Sequence, residues 1–139
     1  MRDAEVIGES FDILELDCAT CSVADQTFAS KFKTVVTVDS EFNAFGGWFD
    51  VDFNGSKVDP TPSPVTLTTC PESTTHWAQQ VFMVHPPHQL EAGDELEGTV
   101  KVTRQKLNHR LLWVQVTFCI LRDQVGQVGP ERTLNYRID

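Results

Sequence analysis

Between Leu111 and Ile120, apolar side chains fall at every second position: Leu112, Val114, Val116, Phe118 and Ile120. A period of two gathers these five on one face of a β-strand, whereas a helix would scatter them around its circumference. The opposite face is mixed, with Leu111, Trp113, Gln115, Thr117 and Cys119. The pattern recurs along the chain. Phe45, Gly47, Phe49, Val51 and Phe53 share a face opposite Gly46, Trp48, Asp50, Asp52 and Asn54. Phe32, Thr34, Val36 and Val38 share another, and Val100 and Val102 alternate with Thr99, Lys101 and Thr103. Shorter β-rich runs lie near 11–19, 64–69, 78–84 and 132–138, and no run of ten or more residues has a convincing helical period.

The punctuation between these runs agrees. Asn54-Gly55 is a turn dipeptide, and Pro60, Pro62 and Pro64 hold the next stretch extended, which reads as a loop over 56–64. Pro86-Pro87, Gly93-Asp94, Leu107-Asn108-His109 and Gly126 to Pro130 separate the later runs. About eight to ten short strands at such spacing predict an all-β fold, a barrel or barrel-like sandwich of mostly antiparallel strands. Its expected core includes Phe49, Val51, Phe53, Val114, Val116 and Phe118. With 139 residues, a single domain spanning 1–139 is the expectation.

Charge narrows the partners. Twenty acids against eleven Lys and Arg leave a net charge of −9. The excess sits in residues 1–60, with twelve acids against four basic residues, while 61–139 holds eight against seven. Such a surface repels a phosphate backbone and attracts Lys- or Arg-rich peptides, so nucleic acid is not an expected partner. Apolar runs fall far short of the roughly 20 residues of a membrane helix, and the first residues lack the basic start and apolar stretch of a signal peptide. A protein of the cell interior, off the membrane, is expected.

Few residues carry recognisable chemistry. Cys18-Ala19-Thr20-Cys21 is a C-x-x-C, but Cys70 and Cys119 are solitary and supply no second pair for zinc. A strand continued through 11–19 would also turn Cys18 and Cys21 to opposite faces, so reduced structural cysteines and no metal are expected. His85-Pro86-Pro87-His88 reads as a turn, and Asp94-Glu95 as a solvated one. No G-x-G occurs among the eight glycines, so no phosphate-cradling loop and no cofactor site are expected within the chain. One segment stands apart. His76-Trp77 falls at the junction of a Pro-containing loop and a strand, where an indole supplies a flat wall and an imidazole a donor and acceptor. From the residues alone, simple packing is the favoured reading of the pair over a site.

The motifs around that pair resemble those of the protein arginine methyltransferases. Thr75-His76-Trp77, followed by Ala78-Gln79-Gln80-Val81-Phe82, is similar to the family's Thr-His-Trp loop, with Ala78 where Lys is usual. The run from Asp17-Cys18 to Phe28, with Ser22-Val23-Ala24-Asp25 inside it, looks like the family's strand leading into a D-L-x-F turn. Gly47-Trp48-Phe49-Asp50-Val51-Asp52-Phe53, Ala92-Gly93-Asp94-Glu95-Leu96-Glu97-Gly98-Thr99-Val100 and Asn108-His109-Arg110-Leu111-Leu112 also resemble family segments, in order, across roughly residues 10–121.

What they resemble is the C-terminal β-barrel, the substrate-facing half of the enzyme. The resemblance implies that Trp77 walls an arginine pocket, that His76 acts in catalysis by pairing with a carboxylate on a separate cofactor domain, and that Thr75 sets the loop. It implies methyl transfer from S-adenosylmethionine to arginines of basic Arg-rich proteins or peptides, in cytoplasm or nucleus, with a bias toward the asymmetric-dimethylating class. It also implies that the cofactor domain, its essential glutamates and a dimerisation arm lie outside these 139 residues, so that the chain alone neither binds S-adenosylmethionine nor transfers methyl. A free-standing domain that binds basic peptides, or a truncated product without activity, remain the alternatives.

Overall fold

The computed structural model describes residues 6–56, 58–73, 75–108 and 110–138. Nine strands are present among them: β1 (Phe28–Val35), β2 (Ser40–Gly47), β3 (Asp50–Gly55), β4 (Pro60–Thr68), β5 (Gln80–Leu90), β6 (Glu95–Arg104), β7 (Leu112–Arg122), β8 (Gly126–Gln127) and β9 (Arg132–Ile138). A single 3-10 turn, Val23–Gln26, is the one helical element described. The all-β class expected from the alternation is therefore what the chain adopts. The pairs β1–β6, β3–β4, β6–β7, β7–β8 and β7–β9 are antiparallel.

The chain divides into two compact units, one built on Asn43–Pro87 and the other on Ile7–Phe42 with His88–Asp139. The second holds a five-stranded sheet in which β6 pairs β1 and β7, while β7 also pairs β8 and β9. The strand that opened the sequence argument is its centre. Val114, Val116, Phe118 and Ile120 are buried, alongside Phe32, Phe42, Leu90, Leu96, Val100 and Val102. Phe42 and Phe118 meet edge to face at 5.7 Å, the geometry that aligns ring edge with ring face. Gly98 is required where it is. It stands opposite both Phe32 and Phe118, and a Cβ there would collide with the Thr117 carbonyl oxygen and the Phe32 ring.

An acidic turn fixes one edge of this unit. Asp94, expected in a solvated turn, is 2% exposed. Arg122 at the end of β7 grips it with two bonds, Nε to Oδ1 at 2.8 Å and Nη2 to Oδ2 at 2.7 Å, and reaches Glu91 Oε1 at 2.6 Å. The Glu91 amide donates to Asp94 Oδ2 at 2.9 Å. The Arg122 guanidinium, followed by the Glu91 amide, holds the Asp94 carboxyl below its ordinary range despite burial. Three bonds compensate a carboxylate that water no longer reaches, which is why this turn can be buried at all.

In the first unit, β3 and β4 form a two-stranded ribbon. Val51 stands opposite Leu67 and Phe53 opposite Val65, so the expected apolar face exists. It is not core. Phe53 is 57% exposed, Phe49 is 46% exposed, Val51 is half-buried, and Val65 and Leu67 are exposed. The alternation over 45–53 also spans two strands, since the chain leaves β2 at Gly47 and enters β3 at Asp50. Three more expectations are corrected. Residues 11–19 run irregular, with a bend at Ile13 and a turn beginning at Cys18, rather than as a strand. Residues 60–64 belong to β4; prolines two apart place their N–H-less nitrogens on one edge, tolerable where each strand has only one paired side. Pro86-Pro87 does not end a strand either, because β5 continues through it to Leu90.

Candidate functional site

The Thr75-His76-Trp77 loop links β4 to β5, and its base is a clasp that the sequence did not announce. Thr69, fully buried just past β4, donates its hydroxyl to the Phe49 carbonyl at 2.9 Å and accepts the Phe49 amide at 3.1 Å. Its own amide donates to the same carbonyl at 3.1 Å. The Gln79 side chain then donates to the Thr69 carbonyl at 2.9 Å, closing residues 70–78 into a pinched loop. Within it, the Cys70 carbonyl accepts the Ser73 amide at 3.0 Å, and the Trp77 amide donates to Thr75 Oγ1 at 3.2 Å. Thr75 therefore sets the backbone of the pair that follows it.

Trp77 projects from this frame. Its ring meets Phe49 edge to face at 5.8 Å and lies 5.1 Å from the tilted His76 ring, yet it remains 50% exposed. A packed core indole would be sealed, whereas this one presents a rigid apolar surface with one side supported. Phe49, expected in the core, is that support. His76 is exposed, and its ring nitrogens have no hydrogen-bond partner among the described residues. The loop thus offers an aromatic wall with an adjacent imidazole, on a frame held by the bonds of Thr69, Cys70, Thr75 and Gln79. His109, quoted in the Asn108-His109-Arg110-Leu111-Leu112 segment, lies outside the described residues.

The other imidazoles serve elsewhere. His88 sits in the second unit with Nε2 2.6 Å from Arg132 Nη1. A guanidinium can only donate, so His88 accepts through Nε2 and must be neutral. Burial first, and Arg132 second, push its pKa down. Cys18 and Cys21 are exposed, not packed as expected. No group of three His, Cys, Asp or Glu side chains suited to a metal converges among the described residues.

The comparisons define the family of this all-β antiparallel chain. The arginine methyltransferase oligomerization subdomain matches residues 1–124. A protein arginine N-methyltransferase of Arabidopsis thaliana, PRMT10, is 36% identical over the whole chain, which spans 37% of that relative's length. Protein arginine N-methyltransferase 1 of Schizosaccharomyces pombe is 30% identical over 91% of the chain and 36% of its own. The crystal structure of Arabidopsis thaliana protein arginine methyltransferase 10, described as a uniquely open conformation, superposes with a TM-score of 0.89 at 33% identity, covering 99% of this chain and 40% of that one. The Trypanosoma brucei PRMT1 enzyme–prozyme heterotetrameric complex with AdoHcy shares the fold, with a TM-score of 0.86 at 20% identity over all of this chain and 42% of that one. This chain belongs to the protein arginine methyltransferase family, and it corresponds to the C-terminal β-domain of those enzymes.

Proposed function

We propose that this chain is the substrate-facing domain of an enzyme that transfers methyl from S-adenosylmethionine to arginine guanidinium nitrogens of basic, Arg-rich proteins or peptides, in cytoplasm or nucleus. The observation that carries the reading is the half-exposed Trp77 beside an imidazole with no hydrogen-bond partner among the described residues, on a loop clamped by Thr69 and Gln79. An indole face bounds a planar guanidinium and favours it by cation–π attraction, worth about 0.5–2 kcal/mol. His76 would bond a carboxylate of the cofactor domain and keep the loop aligned while charge moves during transfer. The net charge of −9 draws cationic segments toward the domain.

The methyl donor does not fit the residues described here. Such a cofactor takes a strand, a glycine-rich turn and a helix N-terminus, and the one helical element described is a four-residue 3-10 turn. We assign donor binding to a separate domain, and to this chain the binding and orientation of arginine.

The test uses the enzyme assembled with that domain. Trp77→Ala should lower turnover on an Arg-rich peptide at least tenfold, about 1.4 kcal/mol of barrier, with cofactor affinity and melting temperature nearly unchanged. His76→Ala should do the same. Full turnover per folded molecule in both variants would overturn the site.

A further inference from the structure

The C-x-x-C that the function leaves unused occupies an unusual place. The Thr20 and Cys21 amides both donate to the Asp17 carbonyl, at 3.1 and 2.8 Å. The Asp17 carboxylate accepts the Ala19 amide at 2.9 Å and the Thr20 hydroxyl at 3.0 Å. A five-residue turn closed in this way winds the chain once, as a helix does. Residues three apart on such a turn share a side, with Cβ atoms about 5–6 Å apart. A disulfide needs about 3.5–4.5 Å, so the turn has only to tighten. Nothing rigid opposes that: Cys18 and Cys21 are exposed, and neither is in a strand. Cys119, by contrast, is locked in β7 opposite Glu97.

We propose that Cys18 and Cys21 form an oxidisable dithiol that closes to an intramolecular disulfide, with a small neutral hydroperoxide as oxidant. One thiolate attacks the O–O bond; its sulfur becomes a sulfenic acid and the peroxide is reduced, leaving as water or alcohol once protonated. The second thiolate attacks that sulfur, the S–S bond forms, and the sulfenic hydroxyl leaves as a second water. Two thiols lose two electrons and two protons, and the peroxide takes them up. The choice of oxidant follows from charge. Cys21 shares the wall of a depression of about 410 Å³ with Glu15, Asp17 and Asp25, a setting that repels anionic disulfides such as oxidised glutathione and not a neutral peroxide. Leu14, Leu16 and Phe28 line the same depression, so drawing Cys21 toward Cys18 reshapes its mouth.

The reduced full chain is treated with hydrogen peroxide and followed by intact mass and peptide mapping. The expected result is a loss of two hydrogens confined to the peptide holding Cys18 and Cys21, reversed by dithiothreitol, with slower amide exchange over 17–26. Cys18→Ser should instead leave Cys21 as a sulfenic acid captured by dimedone, whereas Cys70→Ser and Cys119→Ser should change nothing. Circular dichroism confirms that each variant is folded. Separate dimedone adducts on both cysteines of the parent chain, a bridge to Cys70, Cys119 or a second chain, or unreacted thiols would each overturn the proposal.

Discussion

In β7, Val114, Val116 and Phe118 alternate with Gln115 and Thr117; in β3, Val51 and Phe53 alternate with Asp50 and Asp52. The written patterns are equivalent, yet Phe118 is 1% exposed and Phe53 57% exposed. The difference lies in neighbours. β7 has β6 on one side and β8 and β9 on the other, while Phe42 meets the Phe118 ring from outside that sheet. β3 has β4 alone, so the Phe53–Val65 and Val51–Leu67 pairs cover each other and little else. Alternation selects which face is apolar. Burial is a property of what lies over that face, and a two-stranded ribbon supplies little cover by itself.

That contrast is open to direct attack. Phe118→Ala should cost about 3–5 kcal/mol, seen as a large shift in the denaturant midpoint; a loss below about 1 kcal/mol would mean that the β7 face is not the core. Gly98→Ala should cost about 1–3 kcal/mol by overpacking, because the new methyl meets Phe32 and a carbonyl fixed in the ladder.

Acid should sharpen the picture of the second unit. Asp94 has its folded pKa below the ordinary 3.8, so its contribution is complete above the unfolded value and disappears as pH falls through the folded one. Asp94→Asn should flatten that part of the stability–pH curve, and a curve identical to the parent's would show that the Arg122 grip contributes nothing. His88, also depressed, is neutral when folded. Its contribution is present above 6.5 and fades as pH drops below that value toward the folded pKa, a smaller decline that His88→Gln should remove. The smallest effect belongs to the ribbon: Phe53→Ala should stay within about 0.5 kcal/mol, and a loss near that of Phe118→Ala would erase the distinction between the two faces.

The candidate site was legible in part for a similar reason. Thr75, His76 and Trp77 could be picked out because their types and order are informative. Thr69, Gln79 and Phe49 could not, since a buried threonine, an amide and one more phenylalanine carry no signal until the loop closes around them. Asp94 misled for the opposite reason. Beside a glycine it reads as a solvated turn, and the cation that makes its burial possible, Arg122, lies 28 residues on.

What the sequence determined by itself was local and periodic: the strand state of most of the chain, the inward side of β1, β6 and β7, a final strand near 132–138, and the motifs that match the family. These follow from the period-2 geometry of extended backbone, which every strand obeys whatever its neighbours. Tertiary structure decided the rest: which apolar face became core, that Pro86-Pro87 lies inside a strand, that Cys18 and Cys21 share an exposed turn, and that a buried threonine clasps the Trp77 loop. Each depends on groups distant in sequence or on the particular closure of a loop, and neither is encoded in the spacing of residues along one strand.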